Sequence, residues 1–424
     1  MPKSFVSVSR NATLRAAAVA CLVFTASISA LLLVRGGPTH FFTELDPKNA
    51  LGVCFDGREP KLLCDFANVY YPQGVRLRSE PVAVTGFYYS PFFATCMLLL
   101  SGLGFEVARG LWFTLLASAV TALVVLPLLL GVLQTSRTSA GYAVLVALSL
   151  PILHDSLYGQ VSSVLCVLIA LSFIAYGRSR PALSAVLLGL ATAIKFYPAL
   201  FALYYLARRD LKTGLCYALT VGVCVVLLPW LALGSRDYLA LSASIAGNLQ
   251  QLSHYLSRTH YSNAALSVLK FASEPWFGLG RAQSIALGLS LALGLAQLLL
   301  MLRAARRGDA LSSLLLGFSS LPFVVRSCWM HYFVFLPLLQ VHVLSAARVG
   351  GRRSLLRWCS LFGSVISATL IAYPYFALFP DADAYYRSGM PFWATLALLP
   401  GLALSQFGNN GANMPRPASQ HVGT

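Results

Sequence analysis

The chain has 424 residues, of which 57% are hydrophobic and only 11% are charged, and its mean hydropathy is +0.71. A water-soluble protein of this length needs far more charge on its surface, so the composition excludes a soluble globular protein and indicates a bilayer as the main solvent. The net charge of +17 comes from short basic clusters at the ends of apolar runs, a distribution typical of the positive-inside rule and anionic lipid contacts rather than of nucleic-acid binding.

Helices, rather than a closed barrel, are predicted to span the bilayer because the apolar runs are long, rich in Leu and Ala, and do not alternate. The sequence therefore predicts an all-α polytopic membrane protein with about twelve transmembrane helices and two long outer loops. The predicted helices cover residues 14–35, 87–104, 108–133, 140–154, 160–177, 182–206, 213–234, 280–303, 310–324, 331–347, 355–376 and 389–406. They form one integral membrane domain over residues 1–410, followed by a disordered tail over residues 411–424.

The apolar run of the first predicted helix, Ala16 to Val34, follows Lys3, Arg10 and Arg15 and lacks a small-x-small cleavage site. This pattern favours a retained signal anchor with the N-terminus in the cytoplasm. An even number of crossings also places the strongest basic clusters inside, and these are Ala207–Lys212, Arg303–Asp309 and Arg348–Arg353. The two long polar interruptions, residues 37–86 and 235–279, then face outward.

Residues 104–206 leave the topology open. The same number of crossings places Arg137 and Gly177–Arg180 outside, against the charge rule. The alternative to full crossings is a pair of half-crossing hairpins with tips at His154–Gln160 and Lys195–Pro198.

Acidic residues are scarce, and six of the 14 fall in the first outer loop: Glu44, Asp46, Asp56, Glu59, Asp65 and Glu80. Most of them fit a solvated loop. Asp65 differs because it begins the amphipathic stretch DFANVYYPQGVRL. The apolar side chains of this stretch are predicted to lie on the membrane face, and they are Phe66, Val69, Tyr70 and Leu77. A carboxylate at the membrane surface can act as a base on a hydroxyl next to a lipid substrate.

Two of the nine cysteines, Cys54 and Cys64, share the first outer loop, whereas most of the others lie inside apolar runs. If this loop faces an oxidising compartment, a disulfide between them would close a short loop and stiffen the segment that presents Asp65. No CxxC spacing occurs, so the sequence predicts no zinc site.

Six segments follow one another in an order that resembles a known enzyme family. They are DFANVYYPQGVRL, FYYSPFFA, YGQVSSVLCVLIAL, GLATAIKFYPALFALYYLARR, YSNAALSVL and SCWMHYFVFLPLL, and the resemblance covers residues 14–350. The most specific parts are GQ before an apolar helix and GLATAIKFYP. In order and spacing the chain resembles the polyprenyl-phosphate-mannose-dependent α-mannosyltransferases of glycosyltransferase family 87, which have the GT-C membrane fold.

The resemblance implies a sugar donor on a polyprenyl phosphate, with mannose favoured over a pentose or another hexose. It implies a lipid or glycan acceptor at the outer face of a bacterial plasma membrane, and transfer with inversion. No cofactor is implied, since a lipid-monophosphate donor has less need of a metal than a nucleotide diphosphate. The family's general base is an acid of the first outer loop, and the residue that matches it is Asp65; Asp46 is the second candidate.

Polar residues in or beside the apolar helices are candidates for substrate contacts. Lys195 lies in an otherwise apolar helix, where an ammonium needs a partner or a wet cavity, so it would contact the lipid phosphate or else snorkel to the interface. Arg326 and His331 lie near Trp329, where they would bind phosphate or acceptor, or else belong to an interfacial aromatic belt. The remaining substrate-binding candidates are Gln160, Tyr197 and Asn263.

His154 and Asp155 support the main alternative function. A His–Asp pair within the membrane is typical of a proton relay in a secondary transporter or lipid flippase. A polar turn capped by Asp155 and Ser156 is the structural alternative. Transporters often have repeated halves with ionisable residues near mid-membrane, whereas here the acids gather in an outer loop and no halves repeat.

Overall fold

The computed structural model describes residues 63–133, 136–258, 262–349, 354–379 and 382–408, and every regular element in these ranges is a helix. The all-helical prediction is therefore confirmed for this part of the chain. The α-helices up to residue 233 are α1 (Tyr71–Arg76), α2 (Pro91–Leu100), α3 (Phe105–Leu129), α4 (Ser136–Leu148), α5 (Leu150–Tyr158), α6 (Ser162–Gly177), α7 (Pro181–Ile194), α8 (Leu203–Ala207), α9 (Leu211–Gly222) and α10 (Leu228–Leu233).

The second half of the described chain continues in the same way. Its α-helices are α11 (Ser235–Arg258), α12 (Ala265–Phe277), α13 (Leu279–Arg306), α14 (Ala310–Val324), α15 (Leu336–Val349), α16 (Ser354–Leu370), α17 (Tyr373–Phe376), α18 (Ala382–Ser388) and α19 (Met390–Gly408). Short π-helical or 3-10 segments adjoin the α-helices at Phe66–Tyr70, Ser101–Leu103, Tyr197–Ala202, Val223–Leu227 and Met330–Phe333.

Four runs among the described helices are long and apolar enough to cross a bilayer. They are Phe105–Leu129, Leu211–Leu233, Leu279–Arg306 and Ala384–Ser405. The shorter apolar helices have 10–17 residues, and at 1.5 Å per residue even 17 residues cover only about 26 Å of a hydrocarbon core of about 30 Å. The prediction of about twelve full crossings is therefore not confirmed within these ranges.

The helices α5 and α6 meet at an angle of 114°. Their junction lies at one of the two hairpin tips that the alternative prediction of half-crossing hairpins gave. If the pair is one span, it is a fifth candidate crossing, and its bend fits either a broken span or a re-entrant hairpin. The break falls at residues 159–161, which overlap the end of the predicted tip His154–Gln160.

The predicted helix 182–206 is interrupted at Lys195, the second tip. The helix α7 ends at Ile194, Lys195 is extended, and a 3-10 turn follows. Pro198 has no N–H to donate to the carbonyl of Ile194, which removes one bond of a continuous helix. That carbonyl instead accepts a bond from the backbone N–H of Ser90, at 3.5 Å. The chain thus leaves Lys195 at a break, next to the start of α2.

The segment predicted as the second outer loop, residues 235–279, is largely helical in the structure, so a long loop at this position is not confirmed. It contains α11 and α12. Along α11 the buried apolar residues are Leu241, Ile245 and Leu252, spaced by four and seven residues, which places them on one face of the helix. The polar residues of the other face lower the average hydropathy of the segment, so an average over a sequence window does not detect the helix.

The stretch that begins at Asp65 packs into the protein, so the prediction that its apolar side chains lie on the membrane face is wrong. Phe66 and Tyr70 are almost fully buried, as are Val69 and Leu77. The Phe66 ring stacks on Trp112 of α3, with ring centroids 5.1 Å apart. An amphipathic pattern identifies the apolar face of a helix but does not distinguish lipid from protein as the partner of that face.

The candidate spans differ widely in how much protein covers them. Only 11% of the most apolar part of Leu211–Leu233 is buried, compared with 50% for Phe105–Leu129. In contrast, the shorter helix α14 is buried along most of its length. Its serines Ser313, Ser319 and Ser320 are fully buried as well. Leu211–Leu233 therefore lies at the periphery of the bundle and α14 at its centre.

Candidate active site

Asp65 and Gln160 are joined by a hydrogen bond in which the Gln160 side-chain amide donates to a carboxylate oxygen of Asp65. The Gln160 carbonyl oxygen accepts bonds from the hydroxyls of Tyr70 and Tyr89, at 2.9 and 2.7 Å. An ionised carboxylate can only accept, so the amide nitrogen must face Asp65 and the oxygen must face the two phenols. The orientation of Gln160 is thus fixed by three neighbours from two different segments.

Burial raises the pKa of Tyr70 and of Tyr89 well above the usual value for a phenol. The nearby Asp65 carboxylate acts in the same direction on both groups. Both tyrosines therefore stay protonated at neutral pH and remain hydrogen-bond donors to Gln160.

Gly159 makes the turn that delivers Gln160 to this position. Its backbone φ is +73°, a left-handed conformation that favours glycine, and a Cβ there would lie 3.2 Å from the Cα of Leu63. The indole N–H of Trp112 donates to the Gly159 carbonyl over 2.9 Å. The GQ pair singled out in the sequence is therefore a tight turn held against α3 and the start of the Asp65 segment.

Asp155 closes the bend between α5 and α6. Its two carboxylate oxygens accept bonds from the backbone N–H groups of Ser162 and Ser163, both at 2.9 Å. These are N–H groups of the first turn of α6, so Asp155 caps that helix, as the structural interpretation of this residue predicted. Ser156 does not share this role, because its hydroxyl donates to the carbonyl of Ile152 in its own helix.

His154 faces aromatic rings rather than the carboxylate of Asp155. Its ring stacks on Tyr158 with centroids 4.2 Å apart, and the His331 ring lies 5.8 Å away. Since Asp155 is already engaged by backbone N–H groups, the two residues do not form the hydrogen-bonded His–Asp pair that a relay would use.

Lys195 is buried, and its ammonium lies between two aromatic rings. The nitrogen is 4.7 Å from the ring centroid of Tyr89 and 4.3 Å from that of Tyr332. Cation–π contacts of this kind offset part of the cost of removing the charge from water. Among the described residues, Lys195 has no hydrogen-bond partner and no carboxylate within 4.0 Å, although Asp65 and Asp155 lie within electrostatic range.

His331 and Asn263 are buried polar side chains, and His331 lies within electrostatic range of Lys195. Both ring nitrogens of His331, and both polar atoms of the Asn263 side chain, lack a hydrogen-bond partner within the described ranges. The backbone N–H of Asn263 donates to the carbonyl of Cys328 over 2.7 Å, which brings the start of α12 next to the turn that carries His331. Buried polar groups are normally satisfied, so these two side chains are available to a bound polar molecule.

Tyr197 and Arg326 occupy the edges of the same region. The Tyr197 ring lies 5.2 Å from the ring of Tyr332, which also covers Lys195. Arg326 is exposed, and its backbone carbonyl accepts a bond from the hydroxyl of Ser262 over 3.0 Å. The exposure of Arg326 contrasts with the burial of Lys195 and His331.

One continuous set of contacts joins five of the predicted site residues, namely Asp65, Gln160, Lys195, Tyr197 and His331. Asn263 is bonded to Cys328, three residues before His331. The residues that connect these five, above all Tyr89 and Tyr332, were not among the site residues predicted from the sequence. Both lie in segments that carried the family resemblance, FYYSPFFA and SCWMHYFVFLPLL. Asp46, Cys54, the signal anchor and the tail over residues 411–424 lie outside the described residues.

Cys64, directly before Asp65, is disulfide-bonded. The other cysteines of the described ranges are free thiols: Cys96, Cys166, Cys216, Cys224, Cys328 and Cys359. The partner of Cys64 therefore lies outside the described residues, as does the predicted partner Cys54. The bond fixes the backbone immediately before Asp65.

The model of glycosyltransferase family 87 matches residues 87–327, which is more than half of the chain. The chain belongs to glycosyltransferase family 87. A search of curated proteins finds no match. This family 87 protein is thus a membrane glycosyltransferase that uses a sugar donor and an acceptor, and the transporter alternative is not favoured. The matched region includes Tyr89, Gln160 and Lys195, whereas Asp65 and His331 lie on either side of it.

Proposed function

We propose that this glycosyltransferase moves a mannosyl unit from a polyprenyl-phosphate carrier to a lipid or glycan acceptor, with inversion at the anomeric carbon. The observation that supports the proposal is that Tyr89 connects the proposed base to the proposed phosphate ligand. Its hydroxyl donates to Gln160, which holds Asp65, and its ring covers the ammonium of Lys195. Mannose and the polyprenyl phosphate are supported by the motifs that resemble the mannosyltransferases of the family.

Asp65 is the proposed general base. As the acceptor oxygen bonds to the anomeric carbon, Asp65 takes the proton of the acceptor hydroxyl. The bond between the anomeric carbon and the phosphate oxygen breaks, and the polyprenyl phosphate leaves with the electron pair. The hydrogen bond from Gln160 holds the Asp65 carboxylate in a fixed position for this step.

Lys195 is the proposed ligand of the departing phosphate. A buried ammonium with aromatic neighbours and no carboxylate within 4.0 Å among the described residues has unused capacity for an anion. The exposed Arg326 would contact the same phosphate from the protein surface. Tyr197 would pack beside the first isoprene units.

His331 and Asn263 are proposed to bind sugar hydroxyls. Their unpartnered polar atoms are two ring nitrogens and one amide group, which supply both donors and acceptors. A sugar that satisfies them offsets a desolvation cost already present in the protein.

The disulfide at Cys64 supports a site on the outer face of the membrane. Disulfides persist in oxidising compartments and are rare in the cytoplasm. Because Cys64 and Asp65 are neighbours in the chain, the same compartment must contain the proposed base.

The experiment is transfer of radiolabelled mannose from polyprenyl phosphate in membranes that contain the wild type, Asp65→Asn or Glu80→Gln. Asp65→Asn keeps the shape of the side chain but removes the base, and we expect transfer to fall by about a hundredfold or more. Glu80 is the matched control, an exposed acid of the same segment that pairs with Arg76. Its variant should transfer at the wild-type rate.

Equal transfer by the wild type and Asp65→Asn would exclude Asp65 as the base and make Asp46 the next residue to test. No transfer by the wild type from the mannose donor, with transfer from a pentose donor, would keep the enzyme class and exclude mannose.

A further inference from the structure

His154 lies next to the proposed sugar ligand His331 but has no part in the proposed transfer step. It belongs to α5, and its side chain is only 9% exposed. The sequence pattern singled it out as half of a proton relay, which the structure does not support because Asp155 caps α6. A buried polar ring at this position needs another explanation.

The helix α5 connects the two ends of the candidate active site. The carbonyl of Leu157 accepts a bond from the backbone N–H of Leu63 over 2.8 Å, two residues before Asp65. Leu157 also belongs to the apolar cluster that contains Met330, the residue before His331. A side chain of α5 is therefore held in place relative to both the proposed base and the proposed sugar ligand.

The ring of His154 is fixed by stacking, which engages its face and not its edge. Tyr158, one turn along α5, lies parallel to it within 8° at a centroid distance of 4.2 Å. The ring of His331 lies 5.8 Å away at an angle of 23°. Because ring nitrogens point outward in the plane of the ring, the edges of two imidazoles lie side by side.

Three nitrogens of these two rings are buried without a hydrogen-bond partner in the part of the chain that the structure describes. They are Nδ1 of His154 and both ring nitrogens of His331. Buried polar atoms are normally paired, so three unpaired nitrogens on neighbouring rings indicate a polar ligand.

The chemistry of the imidazole ring narrows the choice of ligand. In the neutral form, which the nearby Lys195 ammonium favours for His331, one nitrogen donates through its N–H and the other accepts. An ionised phosphate only accepts, so it would leave one nitrogen of His331 unpaired. A hydroxyl both donates and accepts, and adjacent hydroxyls of one sugar can serve both rings at once.

We propose that Nδ1 of His154 binds a hydroxyl of the transferred sugar, beside the hydroxyls that His331 binds. This assignment rests on the proposed function, in which His331 binds the sugar and Lys195 binds the phosphate attached to it. His154 then contributes to sugar specificity, because a donor without this hydroxyl leaves the buried nitrogen unpaired.

The test changes the enzyme and the sugar together, with the full-length protein in membranes. The enzymes are the wild type, His154→Phe, His154→Asn and His342→Phe. The donors are polyprenyl-phosphate mannose and a series in which the mannose lacks one hydroxyl at a time. Transfer per folded molecule gives kcat/KM for each pair, and thermal unfolding gives the Tm of each purified enzyme.

The variants separate the nitrogen of His154 from its ring. His154→Phe keeps an aromatic ring that can stack on Tyr158 and removes both nitrogens. His154→Asn loses the ring but carries an amide group close to the position of Nδ1. His342 is the matched control, a partly buried histidine of α15 within electrostatic range of Asp309.

With the complete mannose donor, we expect His154→Phe to lose about tenfold to a hundredfold in kcat/KM at an unchanged Tm, since it removes one buried hydrogen bond. His154→Asn should lose less, and His342→Phe should match the wild type. One of the deoxy donors should reduce the wild-type rate by a similar factor and cause no further loss in His154→Phe. For the other deoxy donors the two losses should add.

Transfer of the complete donor by His154→Phe at the wild-type rate would overturn the inference and leave the proposed function intact. Additive losses for every deoxy donor would also overturn it, because His154 would then act through the structure and not through a sugar hydroxyl. If the wild type uses a pentose donor instead of mannose, the same comparison with deoxypentose donors decides. Failure of the wild type with every donor would refute the proposed function, and this inference with it.

Discussion

Gln160 and Asp65, 95 residues apart in the chain, meet through a hydrogen bond from the glutamine amide to the carboxylate. The two phenols that orient this amide come from the Asp65 segment and from the start of α2. The proposed base is thus positioned by a neutral side chain that has no charge of its own to compete for protons.

Gln160→Glu should reduce sugar transfer by about tenfold to a hundredfold. The new carboxylate cannot donate to Asp65 and repels it, so the base is both misplaced and harder to ionise. Transfer should recover in part at higher pH, because repulsion raises the pKa of the pair. Gln283→Glu, an exposed change on α13, is the control for the added charge. A wild-type rate for Gln160→Glu would show that Gln160 does not position the base.

Lys195→Met should abolish most sugar transfer without destabilising the protein. The variant loses the proposed phosphate ligand, a loss worth about a hundredfold in rate. It also removes a buried charge, so its Tm should equal or exceed that of the wild type. Lys270→Met is the control, since the Lys270 ammonium also lies over a ring, that of Phe271. A large fall in Tm with unchanged transfer per folded molecule would instead mean that Lys195 has a structural role.

Asp155→Ala should destabilise the protein by about 1–3 kcal/mol, because two buried N–H groups of α6 lose their acceptor. Asp155→Asn should cost less, since the amide oxygen still accepts a bond. Unfolding in denaturant measures both changes. Transfer per folded molecule should stay near the wild-type rate. A variant that is fully stable but inactive would contradict the capping role.

Gly159→Ala should destabilise the protein by about 1–3 kcal/mol and lower sugar transfer as well. The added Cβ meets the Leu63 backbone and the residue must keep a positive φ, so the turn that places Gln160 shifts. Gly110→Ala is the control: it lies inside α3 with no atom within 4 Å of the added Cβ, and it should stabilise by about 0.5–1 kcal/mol. Equal stability of the two variants would show that the Gly159 turn tolerates a side chain.

A helix with a continuous apolar sequence was predicted correctly, and a helix with only one apolar face was not. The predicted helix 310–324 coincides with α14, because an apolar run follows the capping residue Asp309 directly. The helix α11 was missed because its apolar residues occupy one face only. For the break at Lys195 the sequence left two alternatives, a continuous helix over residues 182–206 and a hairpin tip at Lys195–Pro198, and the structure has a break there.

The sequence indicated which residues belong to the candidate site but not which of them contact one another. Lys195 and Gln160 stood out because polar groups are costly among apolar neighbours. Nothing in a single sequence says that Gln160 meets Asp65, because that pairing depends on how α5, α6 and the first loop pack. Tyr89 and Tyr332 looked like ordinary aromatic residues until their rings were seen on either side of Lys195.

The sparse protein cover of Leu211–Leu233 has an evolutionary consequence. Lipid tails accept any apolar side chain of roughly the right length, so selection on this segment acts on its total hydrophobicity and not on the identity of each residue. Drift should have interchanged Leu, Val, Ile and Phe freely along it. Within α14, where Ser313 and Ser319 are fully enclosed by protein, neighbouring surfaces restrict each position to few residues. Residue identities should therefore change faster among relatives along Leu211–Leu233 than along α14.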